Sequence, residues 1–283
     1  MKILRATHLG MCFGVRDAIA LAHREAERQP ATIFGELVHN DAVLQSLRDR
    51  GLRFATDLAQ VETNTVIITA HGSSERAIAH VVHSGFNVIE ATCPLVHHAH
   101  RMLRDLVARG FHPVVIGKGE HVEVRGLTGD LDEFDVILTE EDVAALRERP
   151  RFGIVSQTTQ PTERVRHLAS CVRTRFPRSE VAFRDTVCQP TKQRQNAAVE
   201  LAQQCDVVIV IGGAHSNNTR ELVDTCSRYC TRVHHVQHAQ DLRFEWFVGA
   251  ETVGITAGTS TPDAVIDAVE QAIAGFRQMQ QAA

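Results

Sequence analysis

Short β-branched runs alternate with longer amphipathic stretches along almost the whole chain, and that rhythm admits few folds. The runs at residues 65–70, 87–92, 112–117, 134–139, 152–157, 207–212 and 252–257 are rich in β-branched and other apolar residues and read as buried strands. Between them, residues 15–28, 41–50, 95–109, 140–149, 162–175, 192–203 and 262–277 place apolar side chains three and four apart, which predicts helices. Strands alternating with helices pair in parallel through helical crossovers, so the fold class is α/β with mostly parallel sheets.

The length of 283 residues accommodates several small domains. Cys12, Cys93 and Cys188 divide it into pieces of similar length, each tied to a cysteine at a strand end followed by a helix. This weak repeat predicts three α/β lobes, residues 1–93, 94–188 and 189–283. No Pro- or Ser-rich linker separates them, so they are expected to pack around a shared centre, and the N-terminal strand can join the sheet of the third lobe.

Composition removes several classes of function. The net charge of -4 offers no basic surface for phosphate backbones, so no nucleic-acid partner is expected. The opening MKILRATHLGMCFG lacks the apolar core and cleavage site of a signal peptide, and the longest apolar runs fall far short of the ~20 residues that span a bilayer. A cytoplasmic protein with no membrane partner is the expectation. Seven cysteines, an odd number without a secretory signal, favour thiol chemistry or metal binding over a disulfide framework.

Cys12, Cys93 and Cys188 stand apart from the other four. Each follows a strand-like run and precedes a helix start, where the positive helix end steadies a thiolate. Pro94 after Cys93 suits a first helical turn. Cys171, Cys226 and Cys230 fall in helical patterns and Cys205 opens a strand, so these read as small buried hydrophobes. Burial is also the alternative for the chosen three. As ligands, they number three where structural zinc wants four, and there is no C-x-x-C pair. Three thiolates on a [4Fe–4S] cluster leave one iron open to a substrate oxygen.

Other strand ends carry small polar residues and histidines: VHN, AHG, GEHVEVRG, SQTT, HSNNT and AGTS. Such donors beside helix N-termini suit a compact anion pocket. No Walker-type loop is present, which argues against a nucleotide triphosphatase.

In order, GMCFGV, VHN, TAHG, ATCPLV, HVE, SQTT, DTVC followed by T-x-x-RQ, SNNT and TAGTSTPD resemble the 4-hydroxy-3-methylbut-2-enyl diphosphate reductase family, also called LytB. The resemblance runs from Gly10 to about Asp263. It implies three α/β domains in a clover-like, pseudo-threefold arrangement, with Cys12, Cys93 and Cys188 ligating a central [4Fe–4S] cluster. It places His39, His71, His121, Ser216, Asn218 and Ser260 at diphosphate-binding positions, with Asn217 in the same loop. Glu123 matches a proton-relay carboxylate, and Thr158 a threonine that orders the substrate hydroxyl or its water. The implied reaction removes the hydroxyl of (E)-4-hydroxy-3-methylbut-2-enyl diphosphate reductively. It yields isopentenyl and dimethylallyl diphosphate plus water, the last step of the non-mevalonate isoprenoid pathway. No dinucleotide fingerprint is present, so electrons are expected from an external ferredoxin or flavodoxin.

Two positions depart from the family pattern: Val122 replaces a common proline, and His215 a common asparagine. His215 is expected to add a donor near the phosphates. Residues 121 and 123 are expected on an extended segment, pointing to one side. At least one of His39, His71 and His121 is expected to be protonated with substrate bound. Two other readings stay open: a three-ligand zinc hydrolase with Glu123 as base, and an inactive paralogue serving as a cluster-based diphosphate sensor.

Overall fold

In the computed structural model, which describes residues 1–282, the seven apolar runs become strands and five further strands join them, twelve in all. They are β1 (Lys2–Arg5), β2 (Ala31–Phe34), β3 (Arg53–Ala55), β4 (Thr65–Ile68), β5 (Asn87–Glu90), β6 (His112–Ile116), β7 (Asp135–Ile137), β8 (Arg151–Ser156), β9 (Glu180–Phe183), β10 (Val207–Ile211), β11 (Val233–Val236) and β12 (Thr252–Ala257). The helices are α1 (Phe13–Arg28), α2 (Asp41–Asp49), α3 (Glu75–His83), α4 (Pro94–Ala108), α5 (Val122–Thr128), α6 (Glu140–Ala145), α7 (Thr162–Arg175), α8 (Gln189–Ala202), α9 (Asn217–Ser227) and α10 (Asp263–Ala282). Among the described residues, no helix is long and apolar enough to cross a membrane.

The strands form three four-stranded sheets, ordered β3-β2-β4-β5, β7-β6-β8-β9 and β11-β10-β12-β1, and every pairing is parallel. In the first two sheets the chain lays down its second strand beside its first, then places the third and fourth on the other side. The third sheet has the same order, with β1 in the fourth place: Lys2–Arg5 runs alongside Thr252–Ile255.

By compactness the chain divides into two units. One holds Met1–Val15, His39–Ser46 and the chain from Gln189 onward, and the other holds Arg16–Val38 and Leu47–Cys188. In the first unit, β10 is buried on both faces. Val207, Ile209 and Ile211 point toward Ile266, Val269 and Ile273 of α10, while Val208 and Val210 meet Ala198 and Leu201 of α8 and Leu222 of α9. That two-residue alternation is what a central parallel strand requires.

The second unit repeats the arrangement. Val115 and Val155 pack under Leu103 and Leu106 of α4, and Val114, Ile116, Phe152 and Ile154 pack under Val165 and Leu168 of α7. The helix that follows Cys93 thus covers the sheet that comes next in the chain. The helix expected over residues 140–149 stops at Ala145, because Leu146 turns to extended backbone (φ -59°, ψ 140°) and buries its side chain in the same core.

Candidate active site

All the candidate residues follow the carboxyl ends of strands, where ligands of open α/β sheets gather. In each sheet, the loops after the first and third strands carry the polar candidates, and the loop after the fourth carries a cysteine. Thus β2, β4 and β5 lead to His39, His71 and Cys93. Likewise β6 leads to His121 and Glu123, β8 to Thr158 and β9 to Cys188. In the third sheet β10 leads to Ser216, Asn217 and Asn218, β12 to Ser260, and β1 to Cys12.

The three cysteines share one backbone contact. The amide of Cys12 donates to Thr259 O at 3.1 Å, that of Cys93 to Ala70 O at 3.1 Å, and that of Cys188 to Thr158 O at 2.9 Å. Each acceptor lies in the loop after the neighbouring third strand, at or immediately before a candidate residue. The residue after each cysteine, Phe13, Pro94 or Gln189, opens a helix. All three are half-buried and outside any disulfide. Thiol donors beside helix N-termini suit thiolate ligation of iron.

The Cys93 loop is shaped by Gly72. Its φ of +74° suits glycine, and a Cβ there would press on Thr92 and Val96 at 3.0 and 3.1 Å. The turn after His71 therefore lies directly against the start of α4. The Cys12 loop is held differently. Arg194, 6% exposed, donates through Nε and Nη2 to the carbonyl of Gly10 at 3.0 and 2.7 Å, and through Nη1 to Pro190 O. Sequence reasoning quoted this arginine within T-x-x-RQ without assigning it a role. A charged residue on the buried face of a helical pattern was the available signal.

Glu123 is not on an extended segment. His121 caps α5, its Nδ1 accepting the Glu123 amide at 3.1 Å, and Glu123 lies in the first turn. Seven residues with a glycine among them carry too little periodicity to betray a helix. Val122 sits at the first helical position, where proline is tolerated but not required. The replacement therefore leaves the helix in place.

The Glu123 side chain is 1% exposed, and its carboxylate accepts the Thr158 amide at 2.6 Å and the Thr158 hydroxyl at 3.1 Å. Burial pushes its pKa up to about 7, against the downward pull of both hydrogen bonds. Because Nδ1 is an acceptor, the His121 ring carries its proton on Nε2. The rings of His71 and His121 meet edge to face, with centroids 5.5 Å apart.

At α9, Ser216 is the N-cap and accepts the Thr219 amide at 3.4 Å. Ser216, Asn217, Asn218 and Thr219 are all buried. Asn218 Nδ2 and Thr219 Oγ1 are buried and lack a hydrogen-bond partner among the described residues. Polar atoms so placed at a helix N-terminus match an anionic ligand. Gly258 keeps the turn open, since a Cβ there would collide with Thr219 Oγ1. Ser260 Oγ donates to the carbonyl of His39 at 3.2 Å. His215, next to the buried turn, is exposed. Thr219, within the quoted SNNT motif, was missed as a candidate.

The LytB protein family matches residues 3–274. The chain belongs to the LytB family. Among curated LytB relatives, the 4-hydroxy-3-methylbut-2-enyl diphosphate reductase of Pelobacter propionicus is 35% identical over 271 residues, covering 95% of this chain and 96% of that protein. The enzyme of the same name from Geobacter sulfurreducens is 36% identical over 279 residues, covering 98% of each chain. Among solved structures, (E)-4-hydroxy-3-methyl-but-2-enyl diphosphate reductase, the terminal enzyme of the non-mevalonate pathway, is 34% identical. It matches with a TM-score of 0.70 over 97% of this chain and 100% of that chain. The E-1-hydroxy-2-methyl-but-2-enyl-4-diphosphate reductase of Plasmodium falciparum, 25% identical, matches with a TM-score of 0.88 over 94% and 86%.

Proposed function

We propose that this LytB-family chain reduces (E)-4-hydroxy-3-methylbut-2-enyl diphosphate to isopentenyl and dimethylallyl diphosphate with loss of water. The observation that carries the reading is the double role of Thr158. Its amide and hydroxyl bind the Glu123 carboxylate, while its carbonyl holds the Cys188 amide. A buried acid with a pKa near neutrality is thereby fixed two bonded contacts from a proposed cluster ligand.

Cys12, Cys93 and Cys188 would together hold a [4Fe–4S] cluster, which when bound supplies single electrons and a Lewis-acidic iron. Ser216, Asn217, Asn218 and the first-turn amides of α9, with Ser260, His39, His71 and His121, bind the diphosphate. Neutral His121 contributes Nε2–H as a donor. Glu123 delivers the proton that lets the hydroxyl depart as water, and Thr158 orients both the acid and that hydroxyl. The electron donor is a separate ferredoxin or flavodoxin, and the setting is the cytoplasm.

The test is anaerobic purification with iron and sulfide analysis, followed by an assay of the allylic diphosphate with a chemical reductant. The expected result is stoichiometric sulfide, reductant consumption and both five-carbon diphosphates. Zinc without sulfide would indicate the hydrolase reading, and diphosphate binding without reductant consumption the sensor reading.

A further inference from the structure

One cluster of ligand-type side chains takes no part in the proposed reaction. Glu140 is the first residue of α6, and His167 and Cys171 stand one turn apart on the same face of α7. His167 Nε2 is 2.7 Å from a Glu140 carboxylate oxygen, and Cys171 Sγ is 3.6 Å from the same nitrogen. The three ligand atoms all lie within 4.8 Å of one another. They line an open depression of about 510 Å³, together with Val143, Thr174 and Arg175. Cys171 is half-buried rather than fully buried: it packs against the core beneath α7, and its thiol faces an imidazole.

The backbone beneath these side chains is well fixed. Thr139 caps α6 through the Asp142 amide, and the Asp142 carboxylate accepts the amides of Leu138 and Thr139. Val143 of α6 and Val165, Leu168 and Val172 of α7 belong to one buried core. The two helices thus present Glu140 and the His167–Cys171 pair from a common support.

We propose that Glu140, His167 and Cys171 form a peripheral binding site for a borderline divalent cation, zinc foremost, with water as the fourth ligand. Tetrahedral zinc with bonds of about 2.0–2.3 Å separates its donors by roughly 3.3–3.7 Å. The thiol–imidazole separation already meets this, and the carboxylate needs to retreat by only about 1 Å, which a side-chain rotation of exposed Glu140 supplies. One sulfur, one nitrogen and one oxygen donor match zinc rather than magnesium or calcium, which favour oxygen. Thiolate and carboxylate together neutralise the dication. Burial and the Glu140 carboxylate push the Cys171 thiol up, so a bound cation has to displace its proton.

The test uses the cluster-loaded protein under anaerobic conditions, titrated with zinc or magnesium and followed by elemental analysis after gel filtration. About one zinc per chain is expected, with no retained magnesium and unchanged iron and sulfide. Cys171→Ser and His167→Ala should each weaken zinc binding at least ~10-fold while keeping wild-type iron content and turnover. Cobalt should give a thiolate charge-transfer band in difference spectra that is absent in Cys171→Ser. The proposal is overturned if the wild type retains no zinc, or if a variant combining Cys171→Ser with His167→Ala retains it equally. Zinc uptake matched by iron loss would also overturn it, by placing the metal at the other cysteines.

Discussion

Glu123 and Cys188 are tethered to the same residue, the first through the amide and hydroxyl of Thr158 and the second through its carbonyl. The proposed acid and the proposed cluster ligand are thus held in fixed relation by a turn that follows β8. Neither depends on the other's side chain for its position. A change at Glu123 therefore leaves the Cys188 backbone contact in place, and the two functions can be separated by mutation.

Glu123→Gln should retain iron and sulfide but lose about 10²- to 10⁴-fold in kcat, the usual contribution of a positioned general acid. In the wild type the donor must be protonated. With its pKa at about 7, turnover should hold on the acid side and fall as pH rises through neutrality. The assay is kcat against pH with excess chemical reductant, and a variant with near-normal turnover would remove Glu123 from the mechanism.

The same carboxyl makes stability pH-dependent. Its folded pKa lies above the ordinary 4.5, so the folded state holds the proton more tightly. Its contribution is fully present below 4.5 and is lost as pH rises to about 7, for a total of about 3 kcal/mol. Thermal unfolding from about pH 5 to pH 8 should show a smaller decline for Glu123→Gln than for the wild type.

Thr158→Ala removes the hydroxyl bond and keeps the amide bond. Since that hydroxyl holds the Glu123 pKa down, its loss should move the alkaline limb of the rate profile to higher pH. Thr158→Ser should leave the limb where it is. An unmoved limb in the alanine variant would show that Thr158 acts only through its backbone.

Asn218→Ala should raise KM for the diphosphate by about 10- to 100-fold, the range of a lost hydrogen bond to a charged group, with kcat changed about twofold or less. Steady-state kinetics separate the two effects. An equal loss in kcat would place Asn218 at the reacting atoms instead.

Arg194→Lys replaces a fork on the Gly10 carbonyl with a single donor. The Cys12 loop should loosen, and iron per chain after anaerobic reconstitution should fall below wild type while the helical content stays unchanged. Full iron loading would show that the loop is held without the fork.

The alternation of apolar runs and helical stretches was enough to read parallel α/β sheets, because strands covered on both faces need continuous β-branched character. The junctions after Cys12, Cys93 and Cys188 were legible for a local reason: glycine, proline and polar residues there interrupt one period before another begins. The three-residue strand β3 carries almost no periodic signal. Neither does α5, whose start depends on a histidine cap rather than on the usual Ser, Thr, Asn or Asp.

What the sequence by itself determined is the fold class, the identity of the three distinctive thiols and the polar residues that follow the strands, since each depends on side-chain type and local period. Only the tertiary structure decided that Arg194 grips Gly10 and that Thr158 joins Glu123 to Cys188. Those contacts link positions tens to hundreds of residues apart through backbone carbonyls and amides, groups that every residue carries. They become specific only when packing brings them together and water is excluded.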